Sequence, residues 1–370
     1  MFTDSFLPGI GGTENVVLRL SKELSKEHQV MVFAPNYHRP YAAEKDLPFK
    51  VVRAKSIGVS KNDYWAHPSL TRLVKRELDA FKPDVIHTHT LGMMAAYANK
   101  YGKKNNIPVV CTVHTKFKYC YEHALKLKPL VSIMLKHVIR RANNADRVTT
   151  VSSSTIPELN SYGLKKSVTV VKNGNDADKF VPQDKNLSDK FTLLYVGLVI
   201  DYKNIAFSIE CLKELKKRRS DFIFYIVGKG PHIKKFSRLA NKYGLSENVV
   251  LTGAITDRQK LNDMYASSDL FFFTSMFDTD GLVVLESAAM QTPALVLEGM
   301  GMTERIEDGL TGFIAPYDKV KVADKLCELM DSRAKLLEVG VNAKSIFIPW
   351  EKIAHDYVKV YSEEIQKKNK

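Results

Sequence analysis

Long apolar runs are missing from this sequence of 370 residues. No stretch approaches the roughly 18 uninterrupted apolar residues that would span a bilayer, so we do not expect an integral membrane protein. A basic-then-apolar leader is also missing, and the four cysteines form no CxxC pair: Cys111, Cys120, Cys211 and Cys327. We therefore expect a cytoplasmic protein with buried, reduced thiols; a disulfide between Cys111 and Cys120 is the alternative.

Acidic residues are scarcer than basic ones. The sequence has 41 Asp and Glu against 55 Lys and Arg, a net charge of +14. Such an excess suits an acidic partner, which would be nucleic acid, an anionic membrane surface or a phosphorylated substrate. No zinc-finger spacing, aromatic ribonucleoprotein motif or Arg-rich recognition helix occurs, so we expect no nucleic-acid partner. The simpler interpretation is that Lys-rich helix faces are solvated.

What the chain does contain is an alternation of short apolar runs with longer amphipathic stretches, the pattern of βαβ units and a parallel sheet. The alternation restarts after a polar, turn-rich interval at residues 173–190, so the chain is long enough for two α/β domains. We predict Rossmann-like domains at residues 1–182 and 183–345, facing across a cleft, and a C-terminal helix within 346–370 that packs back on the first domain.

The first predicted domain has an unusual start, because only Met1 and Phe2 precede Thr3 and Asp4. A doubly wound domain normally opens with a strand that leads into its first ligand-facing loop. We therefore expect either a truncated start or a domain that lacks most of its first strand.

A glycine-rich loop containing Gly11 and Gly12 leads into the first amphipathic helix. Adjacent glycines let the backbone approach a ligand closely, and the N–H groups of a helix N-terminus attract anions. A phosphate or charged sugar group would fit there. A plain strand-to-helix turn is the alternative.

A second loop, from Asp278 to Leu282, follows the strand predicted at residues 270–273 and leads into a helix. The free N–H groups at that helix start are suited to a diphosphate. Glu286 lies about one turn inside the helix, where its carboxylate can accept hydrogen bonds from vicinal hydroxyls such as those of a ribose. The alternative is that Glu286 caps the helix or forms a local salt bridge.

The spacing Asp278-x7-Glu286, with Gly281 and Leu282 between, resembles the E-x7-E signature of family 4 retaining glycosyltransferases of the GT-B fold. The resemblance extends over almost the whole chain. Further matches lie at Gly11-Gly12, Thr112-Val113-His114-Thr115, Lys172-Asn173-Gly174, Tyr195-Val196-Gly197 with Lys203-Asn204, Val227-Gly228-Lys229-Gly230-Pro231, and Asp308-Gly309-Leu310-Thr311-Gly312-Phe313.

The resemblance implies a hexose transfer from a nucleotide diphosphate sugar, with UDP-sugar favoured, to a hydroxyl acceptor. It implies that Glu286 binds the donor ribose, Asp278 contacts the donor sugar, and the amides of Gly281 and Leu282 face the diphosphate. Lys203 would neutralise the diphosphate without a metal or other cofactor. His114 would lie beside the donor sugar. The remaining donor-binding residues implied by the matches are Gly11, Gly12, Gly197, Gly228 and Lys229.

Two positions depart from the family pattern. Leu198 follows Gly197 where the family commonly has an Arg that contacts phosphate, and the first carboxylate is Asp rather than Glu. Losing one of two cations would weaken leaving-group stabilisation, and we expect Lys229 to compensate. These departures and the short start motivate one alternative, a non-catalytic partner subunit that kept the fold. A nucleotide-sugar 2-epimerase of the same architecture is a second alternative.

Three histidines follow two predicted strands at the sheet edge where parallel sheets bind ligands. His114 ends one strand, and His87 and His89 close another with side chains on the same face. We interpret His87 and His89 as wall residues of the acceptor cleft, with a metal pair as the alternative.

Residues 122–141 combine apolar side chains with five cations, a composition typical of a helix lying on an anionic bilayer: Lys126, Lys128, Lys136, Arg140 and Arg141. Apolar residues at this spacing are also found in core helices. With residues 112–121, the region resembles bacterial diacylglycerol glucosyltransferases, which implies a glycolipid-making enzyme bound peripherally to the inner face of the plasma membrane. Cell-wall polymers and proteins are alternative acceptors.

Overall fold

The computed structural model describes residues 1–9, 11–38, 44–58, 64–125, 127–175 and 188–370. The chain forms two compact units, the first from Met1–Gly174 with Ile348–Lys370 and the second from Asn175–Phe347. The boundary predicted between residues 182 and 183 lies outside the described residues. The chain returns to the first unit after Phe347, two residues beyond the predicted end of the second domain.

The first unit contains a parallel sheet and a short antiparallel hairpin. Its strands are β1 Met31–Pro35, β2 Lys50–Ala54, β3 Ser56–Gly58, β4 Tyr64–Ala66, β5 Ile86–Thr88, β6 Val109–Val113, β7 Arg147–Thr150 and β8 Val168–Val170. Its helices are α1 Gly12–Leu24, α2 Arg72–Phe81, α3 Met93–Asn105, α4 Phe117–Leu125, α5 Lys128–Asn143, α6 Ile156–Ser161 and α13 Trp350–Lys368.

Residues 1–3 occupy the position of the short first strand. Phe2 forms parallel bridges to Phe33 of β1 and Thr88 of β5. The Phe2 N–H donates to the His87 carbonyl at 2.7 Å, and the His89 N–H donates to the Phe2 carbonyl at 2.9 Å. Three residues therefore join the β1–β2 pair to the β5–β8 strands, and the buried Phe2 ring stacks on Phe33 at 4.5 Å.

The C-terminal helix α13 belongs to the first unit, where it packs against α1. The contacts that α13 makes within this unit include polar ones. Arg147 of β7 donates to Glu364 at 2.9 Å, and the Tyr361 hydroxyl lies 2.6 Å from His87. Gly174 lies so close to Trp350 that a Cβ at this position would be 2.8 Å from the indole. Glycine is therefore required where the chain leaves this unit.

The second unit is a six-stranded parallel sheet in the order β11-β10-β9-β12-β13-β14. Its strands are β9 Phe191–Val196, β10 Phe222–Val227, β11 Val249–Gly253, β12 Leu270–Phe272, β13 Ala294–Leu297 and β14 Phe313–Ala315. Its helices are α7 Ile205–Lys216, α8 Ile233–Lys242, α9 Arg258–Ala266, α10 Leu282–Ala289, α11 Lys319–Met330 and α12 Arg333–Ala343. Every residue of β9 is buried, as expected of a central parallel strand covered by helices on both faces.

The strand order of the second unit reverses between β9 and β12. In doubly wound sheets the ligand crevice opens outside the carboxyl ends of the strands at such a reversal. The loops that follow β9 and β12 therefore define where a ligand of this unit is expected.

The predicted basic segment at residues 122–141 is not one helix. Helix α4 ends at Leu125 and α5 begins at Lys128, with Pro129 in its first turn. Proline is favoured there because the first helical N–H groups have no intrahelical partner. All four cysteines are free, with Cys111 and Cys211 buried. No helix among the described residues combines the length and apolarity needed to span a membrane.

Candidate active site

The N-terminus of α10 lies in the loop region at the reversal point of the second unit. Gly281 precedes the helix with φ of 58°, and a Cβ there would lie 2.7 Å from the Met302 side chain. Both facts favour glycine. No side chain caps the helix, and within the described ranges the N–H groups of Leu282 and Val283 donate no hydrogen bond. This helix start therefore presents free donors to an anion.

Lys203 and Asp278 meet beside this helix. Lys203 ends a short 3₁₀ helix after β9, and Asp278 lies in the loop after β12. The Lys203 ammonium donates to both Asp278 oxygens at 2.6 and 2.8 Å. Asn204, with φ of 60°, ties the two loops together through a 3.0 Å bond from its amide to the Thr274 carbonyl. Two residues predicted to act on the donor are thus in direct contact.

Glu286 lies on α10, on its fifth residue, and its side chain is 20% exposed. The buried Tyr265 hydroxyl donates to it at 3.2 Å, and Arg258 lies 3.4 Å from its other oxygen. Both partners come from α9. Burial and the nearby Glu286 charge raise the pKa of Tyr265 well above its ordinary value, so the phenol stays protonated and donates. The local salt bridge named as an alternative does form, and the carboxylate keeps an exposed part.

The glycine motifs after β9 and β10 hold two loops against each other. Gly228 has φ of 157°, and a Cβ on it would collide with the Gly197 carbonyl. The Gly197 N–H donates to the Val227 carbonyl at 3.0 Å. This close backbone approach accounts for Gly197 and Gly228 without a ligand. Leu198 and Lys229 are both exposed, and Lys229 forms no ion pair with any residue the structure describes.

A buried ion pair adjoining Gly281 was not found by sequence reasoning. Arg305 donates through Nε and Nη2 to the two Asp280 oxygens at 2.7 and 2.9 Å. Their side chains are only 3% and 6% exposed. The 25-residue separation gives no local signal, because the pairing depends on how the loops after β12 and β13 meet. The pair fixes Asp280, the residue directly before Gly281.

The first unit also has a reversal point, between residues 1–3 and β5. Asp4 accepts hydrogen bonds there from the Thr90 hydroxyl at 2.6 Å, the Gly92 N–H at 2.9 Å and the Met94 N–H at 3.1 Å. Burial raises the pKa of this carboxyl group, and the hydrogen bonds oppose the rise. Sequence reasoning missed Asp4, although an aspartate directly after a first strand is a recognisable signal.

The glycine-rich loop of the first unit leads into α1 as predicted, with Gly11 directly before the helix and Gly12 at its first position. The Glu14 carboxylate folds back over this start, since a Cβ on Gly11 would collide with it. A Cβ on Gly12 would meet nothing within 4 Å. The helix N-terminus that was expected to attract a ligand anion therefore faces the carboxylate of Glu14.

His87, His89 and His114 form a cluster at the carboxyl ends of β5 and β6, in which His89 stacks on His114. The His87 and His89 rings lie 3.9 Å apart, and His89 Nδ1 lies 3.2 Å from His114 Nε2. Burial lowers the pKa of all three, that of His114 to about 4, so they are neutral near pH 7.

His87 is not a wall residue of a cleft. It is buried, and its ring nitrogens lie 2.6 Å from the Tyr361 hydroxyl and 2.6 Å from the Thr112 hydroxyl. Its role is to join the sheet to α13, which corrects the expectation of an acceptor contact. His89 is buried as well, behind the partly exposed His114. No group of three or more His, Cys, Asp or Glu side chains suited to a metal ion occurs in the described part of the chain.

The basic residues assigned to a membrane surface divide into two groups. Lys128, Lys136 and Arg140 are exposed on α5, as are Leu130 and Ile133, and Leu127 is exposed directly before the helix. Arg141 instead donates to the Leu91 carbonyl at 2.8 Å. Its half-buried guanidinium thus contacts the loop before α3, and its assignment to a membrane surface stays a prediction. Lys126 lies outside the described residues.

Comparison with known proteins gives matches over both units. A family model described as Glycosyltransferase Family 4 matches residues 10–179, and one described as Glycosyl transferases group 1 matches residues 161–346. An alpha-monoglucosyldiacylglycerol synthase of Streptococcus pneumoniae is 23% identical over 93% of this chain and 80% of that protein. A GDP-mannose-dependent alpha-mannosyltransferase of Corynebacterium glutamicum is 27% identical over 84% and 75%, respectively.

Solved structures match the chain along its length. Anabaena Alr3699/HepE, solved in complex with UDP, has a TM-score of 0.78 at 18% identity over 98% of both chains. The sucrose-phosphate synthase of Thermosynechococcus elongatus has a TM-score of 0.79 at 19% identity, again over 98% of both. At these identities the matches establish the fold.

Proposed function

The chain belongs to the group 1 glycosyl transferases, and from this premise we propose that it is a retaining hexosyltransferase using UDP-sugars. Its first part matches Glycosyltransferase Family 4. Its fold is GT-B, with two Rossmann-like units. The observation that carries the proposal is the uncapped start of α10. Its free N–H groups directly follow the loop that contains Asp278, the partner of Lys203. A diphosphate satisfies the donors of this helix start and the charge of the lysine together.

The proposed step breaks the bond between the anomeric carbon and the β-phosphate oxygen and forms a bond from that carbon to the acceptor oxygen. The acceptor proton passes to the departing phosphate oxygen on the same face, which retains the anomeric configuration. Lys203 and the amides of Gly281 and Leu282 stabilise the negative charge of the leaving group. Because these groups supply positive charge, we expect the transfer to proceed without a divalent metal.

Two further side chains place the donor in this proposal. Glu286 accepts hydrogen bonds from the ribose hydroxyls, and its orientation is fixed by Tyr265 and Arg258. His114 is neutral because burial lowers its pKa to about 4, so it acts as a hydrogen-bonding group beside the donor sugar rather than as a cation.

The donor and acceptor are proposed from the relatives and from α5. Anabaena Alr3699/HepE was solved with UDP-glucose, which supports a UDP-hexose donor. The Streptococcus pneumoniae relative is named for a glucosylated diacylglycerol. In this chain α5 exposes Leu130 and Ile133 together with Lys136 and Arg140. Apolar and cationic side chains on one exposed surface suit an anionic lipid bilayer, so we propose a membrane lipid such as diacylglycerol as acceptor.

The test is turnover by the purified chain with UDP-glucose, GDP-mannose or ADP-glucose and vesicles containing diacylglycerol and anionic lipid. We expect a glycolipid whose anomeric proton shows retention by NMR, formed equally with and without EDTA. Release, without any acceptor, of a free sugar that is epimerised at C2 would identify a 2-epimerase instead. Absence of turnover with every donor, together with tight binding to a second transferase, would identify a non-catalytic subunit, the alternative suggested by Leu198.

A further inference from the structure

The Lys203–Asp278 ion pair uses the cation that the proposed function assigns to the diphosphate. Its two side chains are 13% and 22% exposed. Both Asp278 oxygens accept from the ammonium, and among described residues Asp278 has no other hydrogen-bond partner. The Lys203 ammonium also lies 5.9 Å from the Tyr202 ring centroid and 5.5 Å from that of Phe277. These rings restrict how far the lysine can turn away.

A diphosphate at the start of α10 therefore competes with Asp278 for one ammonium group. An ionised carboxylate only accepts hydrogen bonds, so Asp278 loses its donor when Lys203 turns to phosphate. It is then a partly buried carboxylate close to the phosphate charges. An unpaired Asp278 carboxylate makes binding of the diphosphate less favourable unless new hydrogen-bond donors reach it.

Only the intact nucleotide sugar brings those hydrogen-bond donors. The hexose attached to the β-phosphate carries several hydroxyls, whereas the nucleoside diphosphate carries none at that end once the proton taken from the acceptor is lost to solvent. The same carboxylate is satisfied in the donor complex and unsatisfied in the product complex. Discrimination by leaving a polar group unpaired in the wrong complex is often stronger than discrimination by added contacts.

We propose that Asp278 is a specificity-determining residue that weakens binding of the nucleoside diphosphate product relative to the intact nucleotide sugar. The inference rests on the proposed function, because it needs the diphosphate at α10. Its consequence is faster product release, since the ion pair re-forms when the nucleoside diphosphate leaves.

The experiment is calorimetric titration of the whole chain with UDP and with UDP-glucose. For the parent we expect the affinity for UDP-glucose to exceed that for UDP. Asp278→Asn removes the charge and keeps the shape, so we expect UDP to bind about tenfold more tightly and UDP-glucose no more tightly than before. Asp278→Glu keeps the charge and should retain the parent preference.

Asp201→Asn is the matched control. Asp201 lies on the same 3₁₀ helix as Lys203 but pairs with Lys235 at 2.8 Å and His232 at 3.2 Å, so the ratio of the two affinities should not change. Thermal unfolding without ligand verifies that each variant folds, and Asp278→Ser replaces the Asn variant if that one does not. If Asp278→Asn changes both affinities by one factor, or neither, the inference is wrong. If the parent binds neither ligand, the proposed function itself is wrong.

Discussion

The buried Asp280–Arg305 pair allows a test of how much the loop before α10 depends on one charge. Asp280→Asn keeps the size of the side chain and removes its charge, leaving the Arg305 guanidinium buried beside a neutral amide. Removing one partner of a buried ion pair typically costs about 3–5 kcal/mol. Asn still accepts one hydrogen bond, so we expect the lower end, about 3 kcal/mol. For a unit of this size that corresponds to a melting temperature about 6–12 °C lower.

The same unit contains an exposed pair with the same two-bond geometry, although its Arg219 also pairs with Asp331. Arg219 donates to the two Asp221 oxygens at 3.0 and 2.7 Å, again through Nε and Nη2, but these side chains are 30% and 54% exposed. Because solvent screens such a pair, Asp221→Asn should cost less than about 1 kcal/mol. Differential scanning calorimetry of both variants, at pH 7 and equal salt, measures the difference.

Two results would refute this reasoning. One is an equal loss of melting temperature in Asp280→Asn and Asp221→Asn, since geometry and not burial would then set the cost. The other is a failure of Arg305→Met to recover stability when it is added to Asp280→Asn. The second substitution removes the buried guanidinium that has lost the Asp280 carboxylate, so we expect it to restore at least about half of the loss.

Three further outcomes are expected. Leu198→Arg adds a cation at an exposed position after Gly197, so kcat/KM with UDP-glucose should rise about tenfold, and an unchanged value would show that position 198 does not face the diphosphate. Glu286→Ala should abolish the rise in melting temperature caused by UDP-glucose, and a persisting rise would remove the ribose assignment. Because burial lowers the pKa of the His87–His89–His114 cluster, the unfolded state binds more protons than the folded state below about pH 6.5. The free energy of unfolding should therefore fall between about pH 6.5 and 4, by up to about 1.4 kcal/mol per pH unit for each histidine. Denaturant titrations at pH 7, 6 and 5 should show a smaller fall for His89→Gln, and equal slopes would contradict this.

The architecture could be predicted from sequence because parallel strands, once buried on both faces, are continuous apolar runs. β9 is the clearest example, with all six residues buried. The loop–helix boundary at Gly281 was recognisable for the same local reason, since a glycine, an apolar helix and a preceding strand follow one another directly.

Long-range pairings could not be predicted. Nothing near Lys203 in sequence indicates that its partner is Asp278, 75 positions away, because the contact exists only through the β9–β12 reversal. His87 illustrates the converse error. Strand alternation placed it correctly on one face with His89, but it could not show that Tyr361 from α13 would cover that face.

Basic residues of one helix show that composition alone does not give the contacts of each side chain. Arg140 and Arg141 are neighbours in sequence, yet successive helical residues point about 100° apart. Arg140 is exposed, whereas the half-buried Arg141 donates to the Leu91 carbonyl. The helix break before Lys128 likewise depends on Pro129, which sequence reasoning had included within one continuous segment.

The most direct measurement is a crystal structure of the chain with bound UDP. We expect phosphate oxygens within about 3 Å of the Leu282 amide and of the Lys203 ammonium, with Glu286 on the ribose hydroxyls. A structure in which UDP binds elsewhere while Lys203 stays on Asp278 would contradict the account.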